Sequence, residues 1–123
     1  MEYDYHFILS FFHIAIVVTL FLFVGFKRSS TPQWIYNALL FIGCIIFVFH
    51  GYKAIIRLRA NSDYLWINML HVLIIAPIII FIGYHKTNTP RFAYELLLLL
   101  GFAALGYHMF SLINLLHSYS PFA

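Results

Sequence analysis

HIAIVVTLFLFVGFKRSSTPQWIYNALLFIGCIIFVFH, residues 13–50, returns as HVLIIAPIIIFIGYHKTNTPRFAYELLLLLGFAALGYH, residues 71–108, at a constant offset of 58 and with no gap. His13 falls on His71, Gly25 on Gly83, Thr31-Pro32 on Thr89-Pro90, Tyr36 on Tyr94, Gly43 on Gly101 and His50 on His108. Matches among Leu, Ile and Phe carry little weight in a chain this apolar. The His, Gly, Thr-Pro and Tyr matches carry the argument, and they read as an internal duplication. Repeat 1 covers residues 1–60 and repeat 2 covers residues 61–123, each with two hydrophobic passes and a short loop.

The chain has 123 residues, 63% hydrophobic and 9% charged. A soluble domain is nearer about half apolar and about a quarter charged, so there is too little polar surface here to cover a globule in water. Apolar runs at 7–26, 34–56, 64–84 and 92–116 each reach the ~20 residues that a helix needs to cross a bilayer. Backbone groups in hydrocarbon must find partners within the protein, so such runs are helices. The fold class expected is an all-α membrane protein. Its architecture is a four-transmembrane-helix up-down bundle built from two parallel two-helix repeats, related by an axis along the membrane normal.

The rest of the composition narrows the function. A single Cys44 inside the second run forms no intrachain disulfide. The N-terminal Met-Glu-Tyr-Asp is acidic where a cleavable signal would be basic, so the first run is expected to stay as a membrane helix. The formal charge of +3 is small, and its basic residues lie at helix ends. The lipid bilayer is the expected partner, with a homo-oligomer or a larger membrane complex as the form of assembly and no nucleic acid. Lys27, Arg28, Lys86 and Arg91 on one side face Lys53, Arg57 and Arg59 on the other, a slight bias toward cytoplasmic 1–2 and 3–4 loops. Which membrane holds the protein is not written in the sequence.

Thr31 and Thr89 are expected as helix N-caps, with Pro32 and Pro90 at the first helical positions. Pro77, in the middle of the third run, is expected to free the carbonyl of Leu73 and kink the helix. Arg91 and Glu95 make an i,i+4 pair at a helix end. The polar residues 1–6 form a lead into the first helix, and the C-terminal Leu-His-Ser-Tyr-Ser-Pro-Phe-Ala is expected to fray into the interface.

Four histidines carry the functional reading. By helix rise His13 and His71 lie about 20 Å from their loops, and His50 and His108 about 25 Å. All four therefore fall in the half of the bilayer nearer the termini. Ionisable residues at such depth mark functional sites, although one intramembrane His often only bonds a neighbouring helix. The chemistry expected is haem b or a related tetrapyrrole, held for electron transfer by an electron carrier rather than a catalyst. His13 and His71 are the expected axial ligands of the haem iron. Ser10 and Asn68, three residues before them, would orient the imidazoles. His50 and His108 would be secondary contacts, and Gly43 and Gly101 would leave room for a flat macrocycle. One haem, or pairing between adjacent helices, is the form that avoids a clash. The competing readings are a proton or ion channel or transporter with a His-lined site, a zinc or copper site, and a non-catalytic accessory subunit. No Ser/His/acid trio or phosphate-binding glycine loop supports hydrolysis or nucleotide chemistry.

Overall fold

A computed structural model describes residues 2–119, with side chains described from Asp4 onward. The described residues are mostly helical, with no strand among them. Four long helices account for most of them. Helix α1 covers residues 2–27, α2 Gln33–Arg59, α3 residues 65–85 and α4 Arg91–Tyr119. All four are long and apolar enough to cross a membrane. Their outward faces carry large apolar side chains, among them Phe41, Val48, Leu99 and Phe110. Such exposure is costly in water and ordinary in lipid.

The contacts divide the chain differently from the sequence repeat. One compact unit holds residues 27–96 and so packs α2 against α3; the other holds residues 1–26 and 97–123 and so packs α1 against most of α4. Each unit thus takes one helix from each repeat.

In the first unit the seam between α2 and α3 is set by glycine. A Cβ on Gly83 would come 2.5 Å from Leu40 N and 2.8 Å from Tyr36 O. A Cβ on Gly43 would come 2.6 Å from Ile80 Cγ1. Small residues let helix backbones approach this closely where lipid supplies no hydrophobic drive. Around the seam Tyr36, Leu39, Ile79 and Ile82 are fully buried. In the second unit Gly101 lies against Leu22 and Phe21 of α1 in the same manner.

The loops repeat one device at the 58-residue offset. Arg28 and Lys86 adopt φ of 51° and 54°, a region costly for residues other than glycine, and each opens a single 3₁₀ turn. The carbonyl of Arg28 accepts from Thr31 N at 3.0 Å and from the Tyr36 hydroxyl at 2.8 Å. The carbonyl of Lys86 accepts from Thr89 N and from the Tyr94 hydroxyl, both at 3.1 Å. The two tyrosine hydroxyls lie 2.7 Å apart. Two hydroxyl protons therefore serve three short contacts, and the two loops are joined through them.

Several expectations are corrected in detail. Pro32 is itself the N-cap of α2, and no side chain caps that end; the fixed φ of proline sets the helix entry, and Thr31 is buried under it. Thr89 Oγ1 instead donates to Ile82 O. Residues 2–6 are already helical. At the other terminus α4 runs to Tyr119, while residues 120–123 of the expected frayed tail lie outside the described residues. Before Pro77 the chain widens into a π-helical segment, His71–Ile75. Helix α1 has a matching segment, His13–Val18, followed by Thr19 where α3 has Pro77. Proline therefore is not what generates the widening, since α1 makes it without one. The Arg91–Glu95 pair forms at 2.6 Å, with Arg28 at 3.9 Å.

Gly83→Ala is expected to lower unfolding stability by at least the ~1–3 kcal/mol of an overpacked core, because the obstacle is backbone. Gly51→Ala, with nothing within 4 Å of its added Cβ, should be neutral or stabilising by up to about 1 kcal/mol. Denaturation in mixed micelles, followed by circular dichroism, reads both.

Candidate functional site

A histidine on a helix long and apolar enough to cross a membrane has two ring nitrogens to satisfy, and for His13 and His71 the helix itself supplies a partner for one. His71 Nδ1 lies 2.6 Å from Ile67 O and His13 Nδ1 lies 2.8 Å from Leu9 O. A carbonyl only accepts, so in both rings Nδ1 carries the proton and Nε2 carries the lone pair. Both residues open a π-helical segment, a local widening common at functional sites.

The other two histidines meet these rings face to face. In the α2–α3 unit His50 stacks on His71, with centroids 4.0 Å apart and planes 6° from parallel. In the α1–α4 unit His108 stacks on His13 at 4.4 Å and 24°. The same pairing thus occurs in each unit, and all four rings are half-buried. Within each unit the pair joins neighbouring helices.

The residues three positions before His13 and His71 are also brought in. Asn68 is 2% exposed and Ser10 3%. Asn68 Nδ2 lies 2.9 Å from His50 Nδ1, while Asn68 Oδ1 accepts from Arg57 Nη1 at 2.6 Å. Arg57 also donates to Tyr64 O at 3.1 Å and lies over the Tyr64 ring. In the other unit Ser10 Oγ lies 3.4 Å from both His108 Nδ1 and Ser111 Oγ. The expected orienting residues therefore reach the secondary histidines, His50 and His108, whereas helix carbonyls orient His13 and His71.

Gly43 and Gly101 are buried, and the space beside them is filled by Ile80 and by Leu22. They serve close helix packing in their units. No group of three or more His, Cys, Asp and Glu side chains gathers to hold a bare metal ion among the described residues.

Arg57, read from the sequence as one of the basic residues at helix ends, joins this cluster through Asn68. Tyr36, Gly43, His50 and Arg57 fall at intervals of seven along α2, and a heptad returns to nearly the same helix face. The corresponding position in α4 is Leu115. The two histidine pairs are thus alike in geometry and different in charge. No family model, curated protein or solved structure matches the chain.

Truncating the two orienting residues should have unequal effects. Asn68→Ala leaves a charged donor and an imidazole nitrogen without their amide, a loss of about 1–3 kcal/mol. Ser10→Ala removes only the longer contacts and should stay within about 0.5 kcal/mol. Thermal unfolding of the two variants side by side reads the difference.

Proposed function

We propose that the chain is a four-pass integral membrane protein, an up-down bundle of two parallel two-helix repeats, that binds haem b and carries electrons. The observation that carries this reading is the tautomer shared by His13 and His71. Each donates Nδ1–H to a helix carbonyl, which leaves Nε2 as the nitrogen able to ligate iron. Metal-ligating histidines are commonly held this way, because the second bond fixes ring orientation and raises basicity.

The donor set fits the group. Two neutral imidazoles of the ligating tautomer, on helices of an apolar bundle, suit bis-histidine haem. The two glycines do not fit the role expected of them, since helix packing already fills the space beside them. Haem, when bound, supplies a one-electron couple. The residues that would hold it are His13 and His71, each by Nε2, with His108 stacked on the first and His50 on the second as bracing rings. Asn68 and Ser10 fix those bracing rings in turn. On the loop side of the α2–α3 pair, Leu39, Ile79 and Ile82 are fully buried and keep water away.

That same packing weighs against transport, because a permeant ion needs polar groups along its whole path. Between the His50–His71 pair and the α3–α4 loop, the α2–α3 seam is closed by Gly83 against Leu40 and by apolar side chains.

Protein purified after expression with ample haem should show a Soret band and sharp low-spin bands on reduction. His13→Ala or His71→Ala should abolish the low-spin spectrum, and His50→Ala should shift it. Absence of a Soret band under those conditions ends the haem reading. Proton flux into liposomes that His71→Ala alters would support transport instead.

A further inference from the structure

The pair beside Arg57 contains a fixed order of donors and acceptors that its counterpart in the other unit lacks. A guanidinium only donates. With Arg57 Nη1 at 2.6 Å, Asn68 must present its carbonyl oxygen to Arg57; the reverse orientation would set amide N–H against guanidinium N–H. The amide nitrogen is then committed to the opposite side, where His50 Nδ1 lies at 2.9 Å. That nitrogen must accept, so the His50 proton sits on Nε2. Its stacked neighbour His71 has the opposite tautomer, because Ile67 O accepts from its Nδ1.

We infer that Arg57, acting through Asn68, is a positioning residue that holds His50 as an Nε2–H hydrogen-bond donor beside His71, whose Nε2 is a base. The His50–His71 pair therefore carries one Nε2–H and one Nε2 lone pair on two stacked rings. Such a pair suits a ligand that places a hydrogen-bond acceptor next to an electrophilic centre, as a metal complex with an oxygen substituent does. His50 is in this account excluded as a neutral Nε2 ligand, and His71 is the ligating member. In the other unit the equivalent amide position is Ser10, whose hydroxyl both donates and accepts, and Leu115 stands where Arg57 would be. That hydroxyl does not by itself set the His108 tautomer, so the Arg57 relay belongs to one pair and not to the other despite their matching geometry.

The inference concerns the protein without any cofactor, so it stands or falls separately from the haem reading. Long-range ¹H–¹⁵N correlation on histidine-labelled, haem-free protein in lipid nanodiscs reads each tautomer. His50 should be protonated at Nε2, and His13 and His71 at Nδ1. Arg57→Lys, which keeps a donor, should preserve the His50 pattern. Arg57→Leu lets the amide turn and should give His50 a mixture of tautomers. Asn68→Asp offers only acceptors and should move the His50 proton to Nδ1. The His13 signal, from the other unit, should stay unchanged throughout and reports that the variants fold. Should Arg57→Leu fail to fold, the Lys and Asp variants still decide. A wild-type His50 protonated at Nδ1 overturns the inference. An unchanged His50 tautomer in folded Arg57→Leu or Asn68→Asp protein also overturns it.

Discussion

An imidazole on a helix long and apolar enough to cross a membrane has two ring nitrogens to satisfy, and in hydrocarbon only the protein can supply their partners. Four such rings shape the polar half of this chain. His13 and His71 turn inward to carbonyls of their own helices, which costs no tertiary contact. His50 and His108 reach across to Asn68 and Ser10 on the neighbouring helix of their unit. The buried polar positions that looked like ligand-orienting groups are thus the groups that make secondary rings tolerable. Two rings bonded to their own helix and two held from the neighbouring helix are what the hydrogen bonds distinguish.

The seam between α2 and α3 makes that arrangement specific. Gly83 lets the α3 backbone rest directly on Leu40 and on the carbonyl of Tyr36, and Gly43 admits the side chain of Ile80. Such a contact has little freedom to slide, since any larger residue meets backbone. With that register held, His50 and His71 lie face to face and Arg57 reaches Asn68. At the loop end the tyrosine pair adds a second fixed point, tying Arg28 and Lys86, both in a costly backbone region, to one shared set of protons. The apolar bulk of the chain is therefore held at its two ends by few polar contacts.

Helix number and extent were legible in the sequence because hydropathy over ~20 residues is a strong signal. The four histidines, Ser10 and Asn68 could be singled out by their spacing and the 58-residue offset, and within each unit they do come into contact. Partnership was not. The offset relates His13 to His71 by sequence, while packing within each unit is a matter of which helix lies beside which. His71 accordingly meets His50, and His13 meets His108. The glycines were read for the space they leave, and the structure fills that space with Ile80 and Leu22. The π-helical widenings had no residue signature, since one precedes Pro77 and the other precedes Thr19. The contact of Arg57 with Asn68 follows its heptad spacing to His50, yet basic residues near helix ends so often snorkel that spacing alone does not decide it.

The pairing of the rings is the claim on which both the ligand assignment and the tautomer argument rest, and thiol cross-linking tests it most directly. Cys44 is first replaced by Ser. Cysteines then stand at His50 with His71, at His13 with His108, and, as a distant control on α3, at His50 with His85. Short bifunctional thiosulfonate reagents in native-like membranes should join the first two combinations rapidly and leave the third unjoined. Failure of His50→Cys with His71→Cys to cross-link, or equal yields for that pair and the His85 control, would contradict the account.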